Sequence, residues 1–415
     1  MNRTRSLLLA SALCVGTVVL PGAAQAATRT IYVAPTGNDA ATGAWGVPVR
    51  TLGAALKLAT GGERVQLAAG VYGYARDEKP RQTEVEVVGA GIGSTKVNGL
   101  EIYGGQRLRF TKITFTGGVA LTGHPVKQAA QPASGVRFDG NEFTSAGLCM
   151  AIRGGAQDIT VTGNHLHDCT SGIVGQGNPN MSRRITIERN TIERIKGDGI
   201  QFGAWSDVRI AYNVIRDIVD PAGIDHNDGI QLTGSSSAVD IVGNRIFNSR
   251  SQLILIQDAI GPIDDVEVVN NLLVKAGAVA LQSQGATRAR FVNNTIWGGK
   301  DGGFWLRRGY ARNGTYVVPT DTLASNNLTT SMRLMEGATA TSSGGNVVIC
   351  PTASWQVPVP AGASCVADPQ FMNPSATQYW LLPKSAARTR GSWLALPSGD
   401  INGSARLAPV PGAYV

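Results

Sequence analysis

Long hydrophobic runs are missing from this 415-residue chain outside its first 20 residues, and charged residues make up only 16% of it and aromatics 6%. The first absence excludes a transmembrane helix in the body of the protein. Scarce charge beside 43% apolar residues excludes wholesale disorder. No two cysteines have CxxC spacing, so a cysteine zinc site is not expected. Basic residues alternate with Gln and Asp instead of forming an aromatic-interleaved patch, which argues against nucleic acid as a partner. The 52 glycines follow no Gly-X-Y period, which excludes collagen and points to many tight turns.

The N-terminus reads as an export signal. Met1 to Arg5 is basic, Leu7 to Leu20 is mostly apolar, and Ala24-Gln25-Ala26 is a small-x-small cleavage site. Residues 1–26 are therefore expected to be a signal peptide, with neither a membrane anchor nor lipidation, since Leu13 stands before Cys14 where a lipid-attachment box needs a small residue. Removing Arg3 and Arg5 reduces the formal charge from +8 to +6. A secreted chain, extracellular or periplasmic, lives in an oxidising compartment, and its four remaining cysteines allow two disulfides. Of the three connectivities, the sequence-local one is expected: Cys149 with Cys169 and Cys350 with Cys365.

What the chain has in abundance is repetition. The phrase apolar-x-x-Asn-x-apolar recurs in FDGNEF, VTGNHL, IERNTI, IAYNVI, IVGNRI, VVNNLL and FVNNTI. Its asparagines are Asn141, Asn164, Asn190, Asn213, Asn244, Asn271 and Asn294, with a weaker copy at Asn327. Periods of 20 to 50 residues with strand-type alternation signal a β-solenoid. Amides stacked at about 4.8 Å can hydrogen-bond along the stack and satisfy turn backbone that would otherwise be buried unpaired. A second strand follows each phrase, with inward anchors at Met150, Ile173, Ile200, Ile230, Ile254, Val279 and Phe304, so that the residues between them point outward.

Two segments outside the repeats carry a family resemblance. IYVAPTGNDAATGAWGVPVRTLGAALKLATGGERVQLAAGVY (Ile31 to Tyr72) resembles the opening of secreted right-handed parallel β-helix proteins related to pectate lyases, chondroitinase-B-like alginate lyases and mannuronan C5-epimerases. DPQFMNPSATQYWLLPKSAAR and DINGSARLAPVPGAY resemble the closing segment of that group. The resemblance implies an all-β, right-handed single-stranded parallel β-helix, with a short capping helix at about Leu52 to Ala59. The expected organisation is a strand and capping helix over 27–72, β-helix coils over 73–335, and further coils with a closing segment over 336–415. A monomer is expected.

Counting from the anchors places outward residues in columns. Four positions before them stand Lys196, His226, Arg250, Lys275 and Lys300; two before stand Asp198 and Asp228, flanked by Ser171 and Gln252. One position after come Gln201, Gln231 and Trp305, and three after come Gln257, Gln282 and Arg307. The repeat from Asn213 to Asn244 holds the extra residues DIVDPAGIDHND (Asp217 to Asp228), and long insertions on one face of a solenoid usually carry function.

These residues suit elimination at a uronic acid. Neutralising the sugar carboxylate makes the C5 proton acidic, and a base removes it. His226 with Arg250, following Asp220-Pro221, resembles the base and neutralising pair of the β-helical epimerases, although here Asp-Pro and His are not contiguous. The lyases' Lys and Arg pairing would instead point to Arg250 with Lys275, or to Lys196. The leading expectation is therefore a lyase acting on an anionic polysaccharide. Its catalytic residues are His226, Arg250, Lys196 and Lys275; its sugar contacts are Gln201, Gln231, Gln257, Lys300, Trp305 and Arg307; and Ca²⁺ is expected at Asp198, Asp225 and Asp228. Three readings compete: C5-epimerisation, hydrolysis by an Asp198–Asp228 pair, and a non-catalytic binding surface. The Asp-Asp pair Asp264-Asp265 lies away from this edge, which weighs against a polygalacturonase. His165 and His167 read as structural or surface histidines, and the Asn ladder as structural.

Overall fold

A computed structural model of the chain describes residues 29–123, 131–176, 180–223, 226–312, 315–340, 342–350 and 360–415. The expected signal peptide lies outside the described residues. The body is a right-handed parallel β-helix of three strands per coil, one strand more than the repeats alone suggested. A representative coil runs Trp205–Ala211, Val214–Ile218 and Ile230–Leu232; the next runs Ser236–Val242, Arg245–Ser249 and Ile254–Gln257. The Asn phrase straddles the corner between the first two strands of a coil. It reads as one strand because its apolar positions flank a turn only two residues long.

Stacking is in parallel register on all three sheets. On the first, Ile187 lies beside Ile210, and Ile210 beside Ile241 and then Val268. On the second, Ile215, Ile246, Leu273 and Ile296 follow one another. On the third the column is Ile173, Ile200, Ile230, Ile254, Leu281 and Phe304. All are buried in one continuous core, and each such side chain contributes about 1.5–3 kcal/mol relative to exposure. Within the core Phe110 stacks on Phe138 and Phe115 on Phe143, with ring centroids 5.0 and 4.9 Å apart.

The asparagines form the ladder their repetition implied. Oδ1 of each accepts the backbone N–H of its predecessor, from Asn141→Asn164 at 2.8 Å to Asn327→Asn346 at 3.0 Å. Asn346 extends the series beyond the recognised copies. Nδ2 donates to the end of the first-sheet strand of the preceding coil, as from Asn244 to the Ile210 carbonyl at 2.8 Å. The residue before each ladder Asn has positive φ, whether Gly140, Gly163 and Gly243 or Arg189, Tyr212, Asn270, Asn293 and Asn326. This left-handed position accounts for the Gly-Asn and Asn-Asn pairs in the phrase.

The N-terminal end of the solenoid is capped, and the C-terminal segment returns along its side. The helix Leu52–Leu58, with Thr51 Oγ1 accepting the Ala54 N–H at 3.1 Å, buries Leu52, Ala55 and Leu56 against the first coil. Nearby, buried Arg81 pairs with Asp77 at 2.7 Å and donates to the Leu56 carbonyl. At the other end the tail folds back along the second sheet. Its residues Phe371, Tyr379, Ile401, Val410 and Tyr414 pack with outward-facing Leu272 and Val274 and against Phe247 and Trp297. The two disulfides are Cys149–Cys169 and Cys350–Cys365, as the sequence-local pairing has them. Among the described residues no helix is long and apolar enough to cross a membrane.

Replacing Asn244 by Ala strands the buried Asn213 N–H and Ile210 carbonyl. At about 1–3 kcal/mol per stranded group, Asn244→Ala is expected to lower unfolding stability by about 2–6 kcal/mol in a chemical denaturation experiment, with the β-sheet circular dichroism of the native state unchanged.

Candidate active site

The detour in the Asn213–Asn244 coil leaves the stack at one corner and rejoins it without disturbing either neighbour. Val214–Ile218 keeps register with Thr191–Ile195 before it and Arg245–Ser249 after it, and the Val219 N–H still reaches the Ile195 carbonyl at 3.0 Å. The chain returns at Asn227. Its N–H donates to Ser251 Oγ at 3.3 Å, its carbonyl accepts the Ser251 N–H at 3.0 Å, and its Nδ2 donates to the Lys196 carbonyl. His226, immediately before this clamp, therefore stands at the edge between Lys196 of the preceding coil and Arg250 of the following one.

The excursion also positions Arg250. Gly223, at φ +73°, lies so close that a Cβ there would fall 2.5 Å from Arg250 Nη1. The guanidinium rests against the bare backbone of this left-handed glycine. Lys196, His226, Arg250 and Lys300 are all exposed.

Beneath the edge runs a second ladder. Asp198 Oδ1 accepts the Asp228 N–H at 2.7 Å, and Asp228 Oδ1 accepts the Gln252 N–H at 2.8 Å. Asp228 Oδ2 is left facing His226 Nδ1 at 3.1 Å, with the carboxylate side chain fully buried and the imidazole 54% exposed. The pairing with Asp228 raises the His226 pKa above its usual value, against the opposing effect of burial. Burial likewise raises the Asp228 carboxyl, with His226 opposing. A carboxylate beside Nδ1 favours a proton there and leaves the free lone pair on Nε2, as a general base requires; at 3.1 Å the contact is an ion pair without hydrogen-bond alignment.

Outward residues of the third sheet continue the surface. Gln201 stacks on Gln231 and donates to it. Then come Leu255, Gln282, Trp305 and Arg333 in one column, and Gln257, Gln284, Arg307 and Met335 in the next but one. Trp305 carries the Arg333 guanidinium 5.4 Å from its ring centroid. Arg307 pairs with Glu336 at 2.7 Å, and the Tyr310 hydroxyl lies 3.5 Å from Gln257 Oε1.

Several expected placements are corrected. The inward anchor of the Val279–Gln284 strand is Leu281, since Ile254 pairs with Leu281. This moves Gln282 into the column of Gln231 and Trp305, and puts Gln284 beside Gln257. Lys275 does not join the basic edge: it occupies a left-handed position, φ +65°, preceded in its column by Arg194, Asp217 and Asn248. The edge position of its coil is Gly277, whose N–H bonds the Ser249 carbonyl, so Arg250 and Lys300 are two coils, or about 10 Å, apart. Asp225 lies outside the described residues. Asn227, the residue that seats His226, was not singled out from the sequence; its signal was its place between His226 and Asp228 at the close of the insertion.

His165 and His167 stand on the outward face of the second sheet, with ring centroids 4.2 Å apart. They lie among carboxylates, of which Glu193, although burial opposes it, is held at a pKa of about 2 by Arg216, His165 and Arg194.

A raised folded-state pKa means that the His226–Asp228 pairing contributes stability below the unfolded value of 6.5 and loses it as pH rises through the folded value. In an NMR titration the His226 imidazole is expected to titrate above 6.5, and in Asp228→Asn to titrate lower. An unchanged midpoint in that variant would remove the carboxylate as the cause.

Residues 98–273 match the family model described as "Right handed beta helix region". Among curated proteins no sequence matches this chain. Solved structures do: the complex of XylC with xylose at 12% identity and TM-score 0.60, covering 93% of this chain and 98% of that one; the mannuronan C-5 epimerase AlgE6 A-module of Azotobacter vinelandii at 15% and 0.50, covering 76% and 93%; and the PL6 family alginate lyase AlyGC at 13% and 0.50, covering 88% and 58%. At such identities the likeness is one of fold. By its stacked coils and the match over residues 98–273, the chain is a right-handed β-helix protein.

Proposed function

We propose that this protein is a secreted lyase of a uronic-acid-containing polysaccharide, with His226 as base. The observation that carries the reading is the His226–Asp228 pair, buried carboxylate behind exposed imidazole, set between Lys196 and Arg250 at a long detour of the solenoid. Two structural neighbours are named for mannuronan and alginate, both polyuronates, and the two disulfides suit an oxidising compartment.

In the proposed reaction Arg250, aided by Lys196, neutralises the uronate carboxylate and so lowers the cost of charge developing at C5. Nε2 of His226 takes the C5 proton while Asp228 stabilises the imidazolium. The C5–H electron pair forms C4=C5, the C4–O4 bond breaks, and O4 leaves with a proton from the imidazolium or solvent. Gln201, Gln257 and Gln284 line the outward face where neighbouring sugars would lie, with Gln231 and Gln282 more deeply buried among them, Trp305 as a stacking surface and Lys300 as a further cation. Lys275 has no part in this arrangement.

Calcium fits the described residues poorly. Asp198 and Asp228 each commit one oxygen to a backbone N–H, and the second oxygen of buried Asp228 faces His226, so no step is routed through the ion. Hydrolysis by the same two carboxylates suffers from the same engagement. Epimerisation shares the first proton transfer and differs in retaining the C4–O4 bond.

A panel of polyuronates should give new absorbance near about 235 nm with one polymer, and His226→Ala should lower turnover by about 10²–10⁴-fold. Arg250→Ala should lower it by about 10²–10³-fold. Solvent-proton exchange at C5 with retained chain length would establish the epimerase instead, and new reducing ends without absorbance the hydrolase. Binding without turnover on the whole panel would leave only a polysaccharide-binding surface. Running the panel with a chelator tests the calcium expectation: turnover lost and restored by Ca²⁺ would support it.

A further inference from the structure

Three of the chain's polar outward residues on the second sheet are brought together for reasons the proposed reaction does not use. Glu142 and His165 are register partners on adjacent coils, and His167 follows two residues later on the same strand as His165. One ligand atom from each of the three lies within 4.8 Å of the others. His167 Nε2 is 3.2 Å from Glu142 Oε1. Four-coordinate zinc, with bonds of about 2.0–2.2 Å, sets its ligand atoms roughly 3.3 Å apart.

The surroundings are those of oriented metal ligands. His167 Nδ1 lies 2.6 Å from Asp168 Oδ2, and His165 Nε2 lies 3.1 Å from Glu193 Oε1. Each imidazole thus has one nitrogen on a carboxylate, the partner that fixes ring orientation and raises ligand basicity. Asp168 is held by Arg194, and Glu193 by Arg194 and Arg216. Thr114 Oγ1 donates to Glu142 Oε2 at 2.7 Å, leaving Oε1 toward His167. His167 Nε2 and Glu142 Oε1 face each other across 3.2 Å, a separation that a shared proton or a metal ion between them fills.

We propose that Glu142 Oε1, His165 Nδ1 and His167 Nε2 bind a divalent ion of the zinc class, with solvent as the fourth ligand. Imidazole with carboxylate suits Zn²⁺, and suits Ca²⁺ poorly, since calcium takes six to eight oxygens. The His165 ring is 42% exposed, so an ion and a solvent ligand can reach the site. The ion ties together adjacent coils on the part of the second sheet that precedes the tail-covered residues, and acts independently of His226.

The test is titration of the metal-free protein, without a histidine tag, with Zn²⁺ by calorimetry and with Co²⁺ by visible absorption. One ion per chain and a four-coordinate Co²⁺ spectrum are expected. Binding should be lost in His167→Ala and Glu142→Gln, weakened by about 10–100-fold in Asp168→Asn, and unchanged in His226→Ala. Zn²⁺ should also raise the melting temperature of the wild-type protein, and chelation should reverse the rise. Should the ligand variants fail to fold, the imidazole NMR signals of His165 and His167 in the wild-type protein decide, and are expected to shift on adding Zn²⁺. Absence of saturable binding, binding that survives both ligand variants, or unshifted signals would overturn the proposal and leave a proton between His167 and Glu142.

Discussion

Every outward position in this protein depends on one hydrogen bond repeated coil after coil: an asparagine side-chain oxygen accepting the backbone N–H of the asparagine below it. A parallel β-helix must turn its chain three times per coil, and each turn buries backbone groups that no neighbouring strand can pair. At the corner between the first and second strands, from Asn141 to Asn346, the amide ladder satisfies them with bonds of 2.8 to 3.1 Å. Because the acceptor belongs to the next coil, the bond also fixes how coils superpose. A residue's neighbours on the surface are then those at the same distance from their own Asn, insertions aside, and side chains 19 to 33 residues apart become adjacent at about 4.8 Å.

That constraint explains which parts of the molecule were legible in its sequence. The Asn phrase and the Ile anchors announce the coil directly, since stacked identical positions must carry similar residues. Where two apolar residues competed for one inward slot, alternation could not decide: Val279 and Leu281 both fit AVALQSQ. The Asn-to-anchor distance could, for Leu281 stands ten residues after Asn271, as Ile200, Ile254 and Phe304 stand ten after their own asparagines. The misplaced anchor shifted Gln282. Lys275 was lost for a different reason, because its column is defined by a left-handed backbone shared by Arg194, Asp217 and Asn248, which share no chemistry. The third strand was invisible for a related reason: the turn between first and second strands is too short to break the apolar pattern.

The proposed active site shows what the ladder permits. Asp217 to Asp228 adds residues without moving either flanking coil, because Val214–Ile218 and Ile230–Leu232 pair on both sides as though the detour were absent. Asn227 closes the loop with contacts to the coil before and the coil after. The detour therefore costs loop-closure entropy, which grows slowly with length, and little core packing. His226 inherits the rigidity of the stack although it sits on a loop. Its partner Asp228 is rigid for the same reason, since it belongs to the minor ladder of Asp198 and Gln252. The histidine, the insertion and the basic neighbours could be read from the sequence; the seat provided by Asn227, and the space for Arg250 provided by Gly223, depend on backbone conformation.

The division of the outer surface follows from the same translation symmetry. On the second sheet one outward column reads His167, Glu193, Arg216, Phe247, Val274 and Trp297. The switch from charged to apolar at Phe247 marks where the surface stops facing water, and the C-terminal tail packs from that residue onward. The tail is held by the left-handed residues beside the ladder: Asn270 accepts from Arg406, Asn293 donates to the carbonyls of Val410 and Gly412, and Asn326 exchanges bonds with Ser392. In Asn270-Asn271, Asn293-Asn294 and Asn326-Asn327 the second asparagine therefore joins coil to coil and the first joins coil to tail. Earlier coils have Gly, Arg or Tyr at the first position and make no such attachment. The charged half of the column is left uncovered by the tail as a consequence, with Glu193 buried among its own ion pairs, and the third sheet presents its glutamines on a different face.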